Sequence, residues 1–184
     1  AYTNAEGGLI QPDAQPGDFR YKDLNGDGSI TAEGDRANLG KCVPSWTYGI
    51  NASIDWKGID FSMVWQGVAG NKIFDATRRT DIPTMNQPKY VLNRWTGEGS
   101  TNEYPRFTVT DPNQNWSKAS DFFIKDASYF RLKNVTLGYT LPAKWTNKAF
   151  IKKLRVYVAC ENALTFTKYD GFDPEIADYV DRGI

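Results

Sequence analysis

Apolar and polar residues alternate along four stretches of this chain, and no other feature constrains its fold as strongly. In the first stretch, Tyr48, Ile50, Ala52, Ile54 and Trp56 are separated by single small or polar residues. A period of two places the apolar side chains on one face of a β-strand and the polar ones on the other. Because helical periodicity is almost absent, we predict an all-β chain with antiparallel strands.

A very short connection follows this first strand. Lys57 and Gly58 form a tight turn, after which apolar residues alternate again from Ile59 to Val68. Two alternating runs joined by two turn-forming residues predict an antiparallel β-hairpin.

The other two strands lie further along the chain. They are predicted at Tyr129–Leu141 and Leu154–Phe166, and the connection at Ala143–Lys153 has room for one helical turn. Near Phe130 and Leu132 the apolar residues change parity, which indicates a β-bulge in the third strand.

Two long stretches outside the strands show no alternation. Residues 70–127 contain four prolines and many Gly, Asn and Thr residues, which break regular structure, and residues 1–45 also have loop character. Strands of about ten residues, with short connections on one side and long loops on the other, are typical of transmembrane β-barrels. A water-soluble β-sandwich shows the same alternation, and the periodicity alone favours that alternative.

The composition excludes several classes of function. Lys and Arg total 22 and Asp and Glu total 22, so the formal net charge is zero and no nucleic-acid partner is expected. The chain has no histidine, and it therefore lacks the usual general base, zinc ligand and Ser-His dyad. This absence is the main argument that the chain is not an enzyme.

Cysteines and carboxylates are the remaining reactive side chains. Cys42 and Cys160 have no metal-ligand spacing, and we expect two unpaired, half-buried cysteines. Two carboxylates such as Asp173 and Glu175 are the groups that glycosidases use. Among 22 acidic residues, however, such pairs arise by chance, so catalysis is not predicted.

A calcium-loop pattern begins at Asp23. Asp23, Asn25 and Asp27 occupy positions 1, 3 and 5, which supply oxygen ligands in calcium loops. Gly28 permits the sharp turn at position 6, and the carbonyl of Ser29 is expected to point inward at position 7.

The calcium pattern weakens after position 7. Gly34 stands at position 12, where such loops carry a bidentate Glu, so Asp35 is predicted to take that role in a loop one residue longer, with Glu33 as the reserve. An Asx-rich turn that holds no metal is the alternative. We favour a bound Ca²⁺ that acts as a structural clip on an outer loop.

Aromatic side chains in the long loop are candidates for contact with a ligand or partner. Trp95, Tyr104 and Trp116 have the rings that stack on sugars or pack against a partner protein. The favoured alternative is that they pack the loop against itself, because ordered long loops need internal anchors.

Four segments resemble a known family, and they do so in the family's order. They are residues 18–40 (DFRYKDLNGDGSITAEGDRANLG), 45–74 (SWTYGINASIDWKGIDFSMVWQGVAGNKIF), 127–142 (ASYFRLKNVTLGYTLP) and 154–176 (LRVYVACENALTFTKYDGFDPEI). All four resemble stretches near the C-terminus of SusC/RagA-type TonB-dependent transporters. The resemblance covers most of the chain and reverses the preference for a soluble sandwich.

The resemblance implies a large barrel with an internal plug in the outer membrane of a Bacteroidetes-type bacterium. Members of the family import glycans, or in some cases peptides, with energy delivered by TonB. A SusD-like surface lipoprotein covers the barrel and helps to capture the cargo, while membrane lipid surrounds the barrel wall. A surface-exposed or secreted sugar-binding β-sandwich with a structural calcium remains the alternative.

The same resemblance assigns each part of the chain. Residues 46–69 are implied to form a hairpin of the barrel, and residues 128–166 two further barrel strands. Residues 1–45, 70–127 and 167–184 are implied to be extracellular loops, so the short connections face the periplasm. The plug that contacts TonB, most of the barrel and the final strand are expected to lie outside this chain.

Overall fold

β-strands dominate the regular structure in a computed structural model that describes residues 2–75, 86–87 and 89–175. The strands are β1 (Trp46–Trp56), β2 (Ile59–Ala69), β3 (Lys72–Phe74), β4 (Ile124–Asp126), β5 (Tyr129–Thr140) and β6 (Arg155–Thr167). The helical elements are α1 (Ala143–Thr146) and the short 3-10 segments Lys89–Asn93, Asp121–Phe123 and Asn147–Ala149. Over the described ranges, no helix is both long enough and apolar enough to span a membrane.

Four strands form one antiparallel sheet in the order β1-β2-β5-β6. Each of them begins and ends within two residues of its predicted limits. The alternation also specifies how the strands pair, because a one-residue slip in register would move every apolar side chain of a strand to the polar face. The prediction of an all-β chain with antiparallel strands is confirmed.

The β1–β2 hairpin is closed by the predicted two-residue turn. Lys57 has a φ of 47° and Gly58 a φ of 87°, so both adopt the left-handed conformation that a type I′ turn requires. The carbonyl of Gly58 accepts a hydrogen bond of 2.7 Å from the backbone N–H of Thr140. The turn is therefore tied to the end of β5, and it lies at the same end of the sheet as the β5–β6 connection.

The predicted bulge is confirmed in β5. Val64 pairs with Asn134, whereas its neighbour Trp65 pairs with Leu132, so Lys133 has no opposite residue in the ladder. The β5–β6 pairing is irregular at the same place. The extra residue keeps the apolar residues on both sides of the bulge on one face, and it turns Lys133 away from the regular pattern.

The chain divides into two compact units. The loop unit comprises residues 1–39 and 75–123, and the sheet unit comprises residues 40–74 and 124–184. Much of the two predicted loops, 1–45 and 70–127, thus folds together in one unit. Residues 1, 76–85, 88 and 176–184, which belong to the predicted extracellular loops, lie outside the described residues.

A second, two-stranded sheet lies where the predicted long loop leaves and re-enters the sheet unit. β3 and β4 pair antiparallel, with Lys72 opposite Asp126. The N–H of Lys72 donates to the carbonyl of Lys41 at 2.8 Å, and the N–H of Ala127 donates to the carbonyl of Asn71 at 3.2 Å. These bonds satisfy backbone groups that an irregular chain would otherwise leave unpaired.

The loop unit has an aromatic core centred on Trp116, whose exposed fraction is 2%. The Trp116 ring lies parallel to Tyr90, with centroids 6.3 Å apart, and it meets Phe107 and Phe122 edge to face at 5.7 and 5.8 Å. Its indole N–H donates to the carbonyl of Arg106 at 2.9 Å. A loop of this length is ordered here by its own aromatic core, which was the favoured alternative for these residues.

Candidate functional site

One face of the four-stranded sheet is apolar and exposed to its surroundings. Ile50, Ile54, Leu137, Val156 and Val158 all have more than half of their surface exposed, between 54% and 74%. In a β-sandwich these side chains would be buried between two sheets. Within residues 2–75, 86–87 and 89–175 no second sheet covers this face, so the described structure does not support the sandwich alternative.

Aromatic residues lie at both ends of this apolar face. Trp46 and Trp56, at opposite ends of β1, are 73% and 62% exposed. Ten residue-to-residue steps separate them, which is about 34 Å at 3.4 Å per step, or about 26 Å after a strand tilt of roughly 40°. This span matches the apolar band of outer-membrane barrels, which is about 25 Å tall and has an aromatic girdle at each border.

The aromatic residues at the loop end of the sheet, where β1 begins, pack against one another. Trp65 and Phe130 stack with ring centroids 4.8 Å apart, and Phe166 stacks on Trp65 at 6.3 Å. Tyr48 lies 5.7 Å from Phe130 and also packs beside Gly67, where a Cβ atom would collide with the Tyr48 ring. Rings from all four strands thus form one belt along this border of the apolar face.

The opposite face of the sheet is polar and carries ion pairs between strands. Near the turn end, where β1 meets β2, the guanidinium of Arg155 makes a bidentate pair with Asp60 and lies 4.9 Å from the centroid of the Tyr157 ring. Gly138 lies between them in the register, and a Cβ atom there would collide with both charged groups. The glycine leaves room for this ion pair to cross the strand, and a larger residue would displace the two charged groups.

A second polar cluster ties residues 173–175 to the polar face at the loop end of the sheet. Arg131 donates to Asp173 at 2.8 Å and to Thr165 at 2.9 Å, and it forms an ion pair with Glu175. Glu175 also pairs with the ammonium of Lys133, the bulge residue. The bulge therefore aims a cation at a segment that follows β6, which is how bulges often serve function.

The pKa shifts of the two carboxyl groups agree with their pairing to Arg131 and Lys133. The hydrogen bond from Arg131 holds the pKa of Asp173 below its ordinary value. Burial acts to raise the pKa of Glu175, but hydrogen bonds from Lys133 and Tyr129 outweigh it and hold that pKa below its ordinary value too. Both carboxyl groups therefore remain ionised at neutral pH.

Sequence reasoning missed this cluster. Asp173 and Glu175 were treated as a chance carboxylate pair, whereas the structure uses both as partners of Arg131 and Lys133. The available signal was charge complementarity: two cations flank the predicted bulge, and two anions follow the end of the last predicted strand.

The calcium-like loop is held by its own hydrogen bonds. The carboxylate of Asp23 accepts the N–H groups of Gly26 at 2.7 Å and Gly28 at 2.9 Å. The carboxylate of Asp35 accepts those of Leu24 and Thr31, each at 2.7 Å. Asp35 thus closes the loop through backbone N–H groups, and its predicted role as a calcium ligand stays a prediction.

The remaining predicted ligands pair locally. Asp27 accepts hydrogen bonds from the side-chain amide of Asn25 at 2.7 Å and from the hydroxyl of Ser29 at 2.8 Å. These bonds hold the pKa of Asp27 below its ordinary value. Among the described residues, no three His, Cys, Asp or Glu side chains are grouped as a metal site would require. Calcium binding stays a prediction.

We expect calcium to raise the melting temperature of the loop unit, and the double change Asp23→Ala with Asp27→Ala to abolish that increase, because it removes two of the predicted carboxylate ligands. The measurement is thermal unfolding with millimolar CaCl₂ and with EDTA, for the parent and for a variant with Asp23→Ala and Asp27→Ala. A Glu6→Ala change at an exposed carboxylate outside the loop is the control. Identical melting curves with calcium and with EDTA would contradict calcium binding and support the alternative of an Asx-rich turn that holds no metal.

The predicted ligand-contact residues have different positions. Trp116 is the centre of the aromatic core and is enclosed by other rings, which agrees with the favoured alternative that these residues pack the loop against itself. Trp95 and Tyr104 are half-buried. Trp95 packs over Gly17 so closely that no Cβ atom would fit there, and Tyr104 stacks on Tyr90 at 5.7 Å. Their contact with a ligand stays a prediction.

Both cysteines are unpaired, as expected, but they are exposed rather than half-buried. Cys160 lies in β6 opposite Val135, on the apolar face. Its exposure has the same cause as that of the neighbouring apolar residues, because nothing in the described structure covers this face.

Comparisons with known proteins point to one family. No family model matches the chain. TonB-dependent receptors P3 and P26 of Formosa agariphila are 32% and 30% identical to it over 90% and 96% of its length. The TonB-dependent receptor SusC of Bacteroides thetaiotaomicron is 24% identical over 94% of the chain. The chain spans only 16–18% of the length of these relatives.

Solved structures agree with the sequence comparisons. The structure of the RagAB peptide transporter matches 80% of this chain with a TM-score of 0.63 and 28% identity, and this chain covers 16% of that one. The RagAB peptide importer in its open-open state matches with a TM-score of 0.60 and 26% identity. These relatives are receptors and importers by name, which agrees with the expectation that the chain is not an enzyme. The chain is therefore homologous, over most of its length, to a stretch of SusC/RagA-type TonB-dependent transporters.

Proposed function

We propose that this chain forms part of the barrel wall and outer loops of a TonB-dependent transporter in the bacterial outer membrane. The observation that carries the proposal is a single sheet with two unlike faces. Its exposed apolar face, bordered by aromatic residues at both ends, suits contact with lipid. Its polar face, crossed by the Asp60–Arg155 ion pair, suits a water-filled lumen.

The proposed cargo is a glycan, with a peptide as the second candidate. The family resemblance of the four sequence segments implies the first, and similarity to a structure named as a peptide importer supports the second. We further propose a SusD-like surface lipoprotein as the partner at the loop end of the sheet. The ordered aromatic core of the loop unit supports this partner, because a rigid outer surface loses little entropy when another protein docks on it.

Changing Ile50 to Arg should strongly impair membrane assembly of the receptor that carries this chain. Ile50 lies near the middle of the apolar face, and an arginine at the lipid midplane of a barrel destabilises it by about 2–4 kcal/mol. The matched control is Asn51→Arg, the adjacent position on the polar face, which should change stability little. The measurement is the urea midpoint for folding into lipid vesicles.

Equal effects of Ile50→Arg and Asn51→Arg would contradict a lipid-facing sheet. Cargo is tested separately, in cells that lack the receptor and in cells with the receptor restored. Uptake of labelled oligosaccharide that needs both the receptor and TonB supports the glycan proposal. Uptake of labelled oligopeptide but not of labelled oligosaccharide would show that the cargo is a peptide.

A further inference from the structure

We propose that residues 141–154, the connection between β5 and β6, form a docking surface for anionic phospholipid headgroups. This inference rests on the proposed function, because it requires that the apolar face of the sheet contacts lipid. The occupant is a phospholipid with a net negative charge, of the phosphatidylglycerol type. The segment combines lysines with exposed aromatic rings at the border of the lipid-facing surface.

The charge of this connection has one sign. Four lysines occur within fourteen residues, and the segment contains no Asp or Glu. The lysines, all exposed, are Lys144, Lys148, Lys152 and Lys153. The net charge of the whole chain is zero, so this short exposed segment is locally rich in positive charge. Clusters of lysines beside a membrane attract anionic headgroups.

Two large aromatic side chains project from the same connection. Trp145 is 63% exposed and Phe150 is 98% exposed. An aromatic ring that is almost fully exposed is poorly placed in water but well placed at the boundary between headgroups and acyl chains. The lysines and the rings together have the composition of an interfacial membrane segment.

The backbone conformation at Phe150 is held by local hydrogen bonds. Phe150 has a φ of 58°, in the left-handed region that a bulky side chain rarely adopts. Its N–H donates to Asn147 at 3.1 Å, and the N–H of Ile151 donates to Thr146 at 3.1 Å. These bonds close the 3-10 segment Asn147–Ala149, with Phe150 in the left-handed conformation that is common at helix C-termini.

The connection is continuous with the apolar face of the sheet. The N–H of Leu141 donates to the carbonyl of Leu154 at 2.9 Å, which closes the connection onto the ends of β5 and β6. The last apolar row at this end contains Tyr139 and Val156 as neighbours, both exposed. Lipid that covers this row therefore places its headgroups at the level of the connection.

The β1–β2 turn, at the same end of the sheet, also combines a lysine with an exposed aromatic ring. The ammonium of Lys57 lies 4.9 Å from the centroid of the Trp56 ring, and Trp56 is the aromatic residue that ends the apolar stripe of β1. The same end of the sheet thus carries an exposed aromatic ring next to a cation in two separate connections. Charge complementarity and this continuity select an anionic headgroup as the occupant.

The test uses the detergent-solubilised receptor that carries this chain, with binding of fluorescent phosphatidylglycerol or phosphatidylcholine followed by anisotropy. Lysine near an anionic surface contributes about a fivefold factor in affinity. Changing Lys144, Lys148, Lys152 and Lys153 to Gln should therefore weaken phosphatidylglycerol binding at least about a hundredfold. The matched control changes four exposed lysines elsewhere to Gln, namely Lys22, Lys41, Lys89 and Lys168.

A second variant tests the aromatic part without changing charge. Trp145→Ser with Phe150→Gly should weaken binding of both lipids, while the salt dependence of phosphatidylglycerol binding should remain. The glycine accepts the φ of Phe150 without strain, so folding is preserved. Equal phosphatidylglycerol binding by the two four-lysine variants, or equal binding of the two lipids by the parent receptor, would overturn the inference.

The outcomes separate this inference from the proposed function. A receptor that assembles in vesicles and responds to Ile50→Arg, yet shows no preference for phosphatidylglycerol, overturns only the headgroup surface. A receptor that does not respond to Ile50→Arg overturns the lipid-facing sheet and this inference with it. Binding that requires a periplasmic protein instead of lipid would also overturn the inference.

Discussion

Replacing Trp116 by Ala should destabilise the loop unit by about 3–5 kcal/mol, the range for truncation of a buried aromatic residue. The ring is 2% exposed and is enclosed by Tyr90, Phe107 and Phe122. Its removal leaves a cavity that these rings cannot fill without leaving their own contacts. It also leaves the carbonyl of Arg106 without its indole donor.

The measurement is amide hydrogen exchange of the loop unit in the full receptor. The N–H of Arg106, bonded to Gly17, and that of Lys118, bonded to Gln114, report on opening of this unit. An opening equilibrium changes tenfold for each 1.4 kcal/mol. The exchange rates of these amides should therefore rise by about 100-fold to about 3,000-fold. Leu92→Ala, at a 71% exposed position of the same unit, is the control and should change exchange little.

A result in which Trp116→Ala and Leu92→Ala behave alike would show that the aromatic core does not hold the unit together. A local effect on Lys118 alone, with Arg106 unchanged, would show that the segments fold separately. Faster exchange at both amides supports one cooperative unit.

Replacing Asp18 by Ala should destabilise the same unit by about 3–5 kcal/mol, because it breaks a buried ion pair and strands one partner. The Asp18 side chain is 1% exposed and makes a bidentate pair with the Nε and Nη2 atoms of Arg106. Its carboxylate also accepts hydrogen bonds from the side-chain amide N–H of Asn115 at 2.6 Å and from the backbone N–H of Gln15 at 2.8 Å. All of these donors would lose their acceptor.

The Asp18 contribution should depend on pH with a definite sign. Burial acts to raise the pKa of Asp18, but the bonds from Arg106, Gln15 and Asn115 outweigh burial and hold that pKa below its ordinary value of 3.8. The unfolded chain therefore binds the proton more readily than the folded one. The stabilisation is complete above about pH 4 and is lost as the pH falls through the lower folded pKa.

Exchange rates of the loop unit, corrected for the intrinsic pH dependence of exchange, should therefore rise below about pH 4 in the parent. Asp18→Ala should remove that rise and be fast at every pH. Asp13→Ala, an exposed carboxylate nearby, should keep the parent profile. A parent profile that stays flat through acid pH would show that the Asp18 ion pair does not stabilise the unit.

Much of the sheet unit was predictable because its signal is local. Alternation placed β1, β2, β5 and β6 within two residues, and the change of parity at Phe130 and Leu132 revealed the bulge. Turn chemistry located Lys57 and Gly58 as the hairpin turn. Each of these features depends on residues a few positions apart, so the sequence carries them without knowledge of the rest of the fold.

The loop unit was less predictable because its contacts join distant residues. Asp18 meets Arg106 across 88 positions, and Asn115 reaches back to Phe19 across 96. The sequence favours packing of Trp116 within the loop over contact with a ligand, but it does not identify this ring as the centre of a core. Irregular segments have no periodicity, so nothing local shows which of their aromatic side chains becomes the core.

The sequence by itself determined the strands, their antiparallel pairing across a tight turn and the two unlike faces of the sheet, since a period of two is a property of the extended backbone. Only the tertiary structure decided that the apolar face is exposed instead of covered by a second sheet. It also decided that Asp173 and Glu175 bind Arg131 and Lys133. Burial and long-range ion pairing depend on where the whole chain runs, and alternation along one strand contains no information about that path.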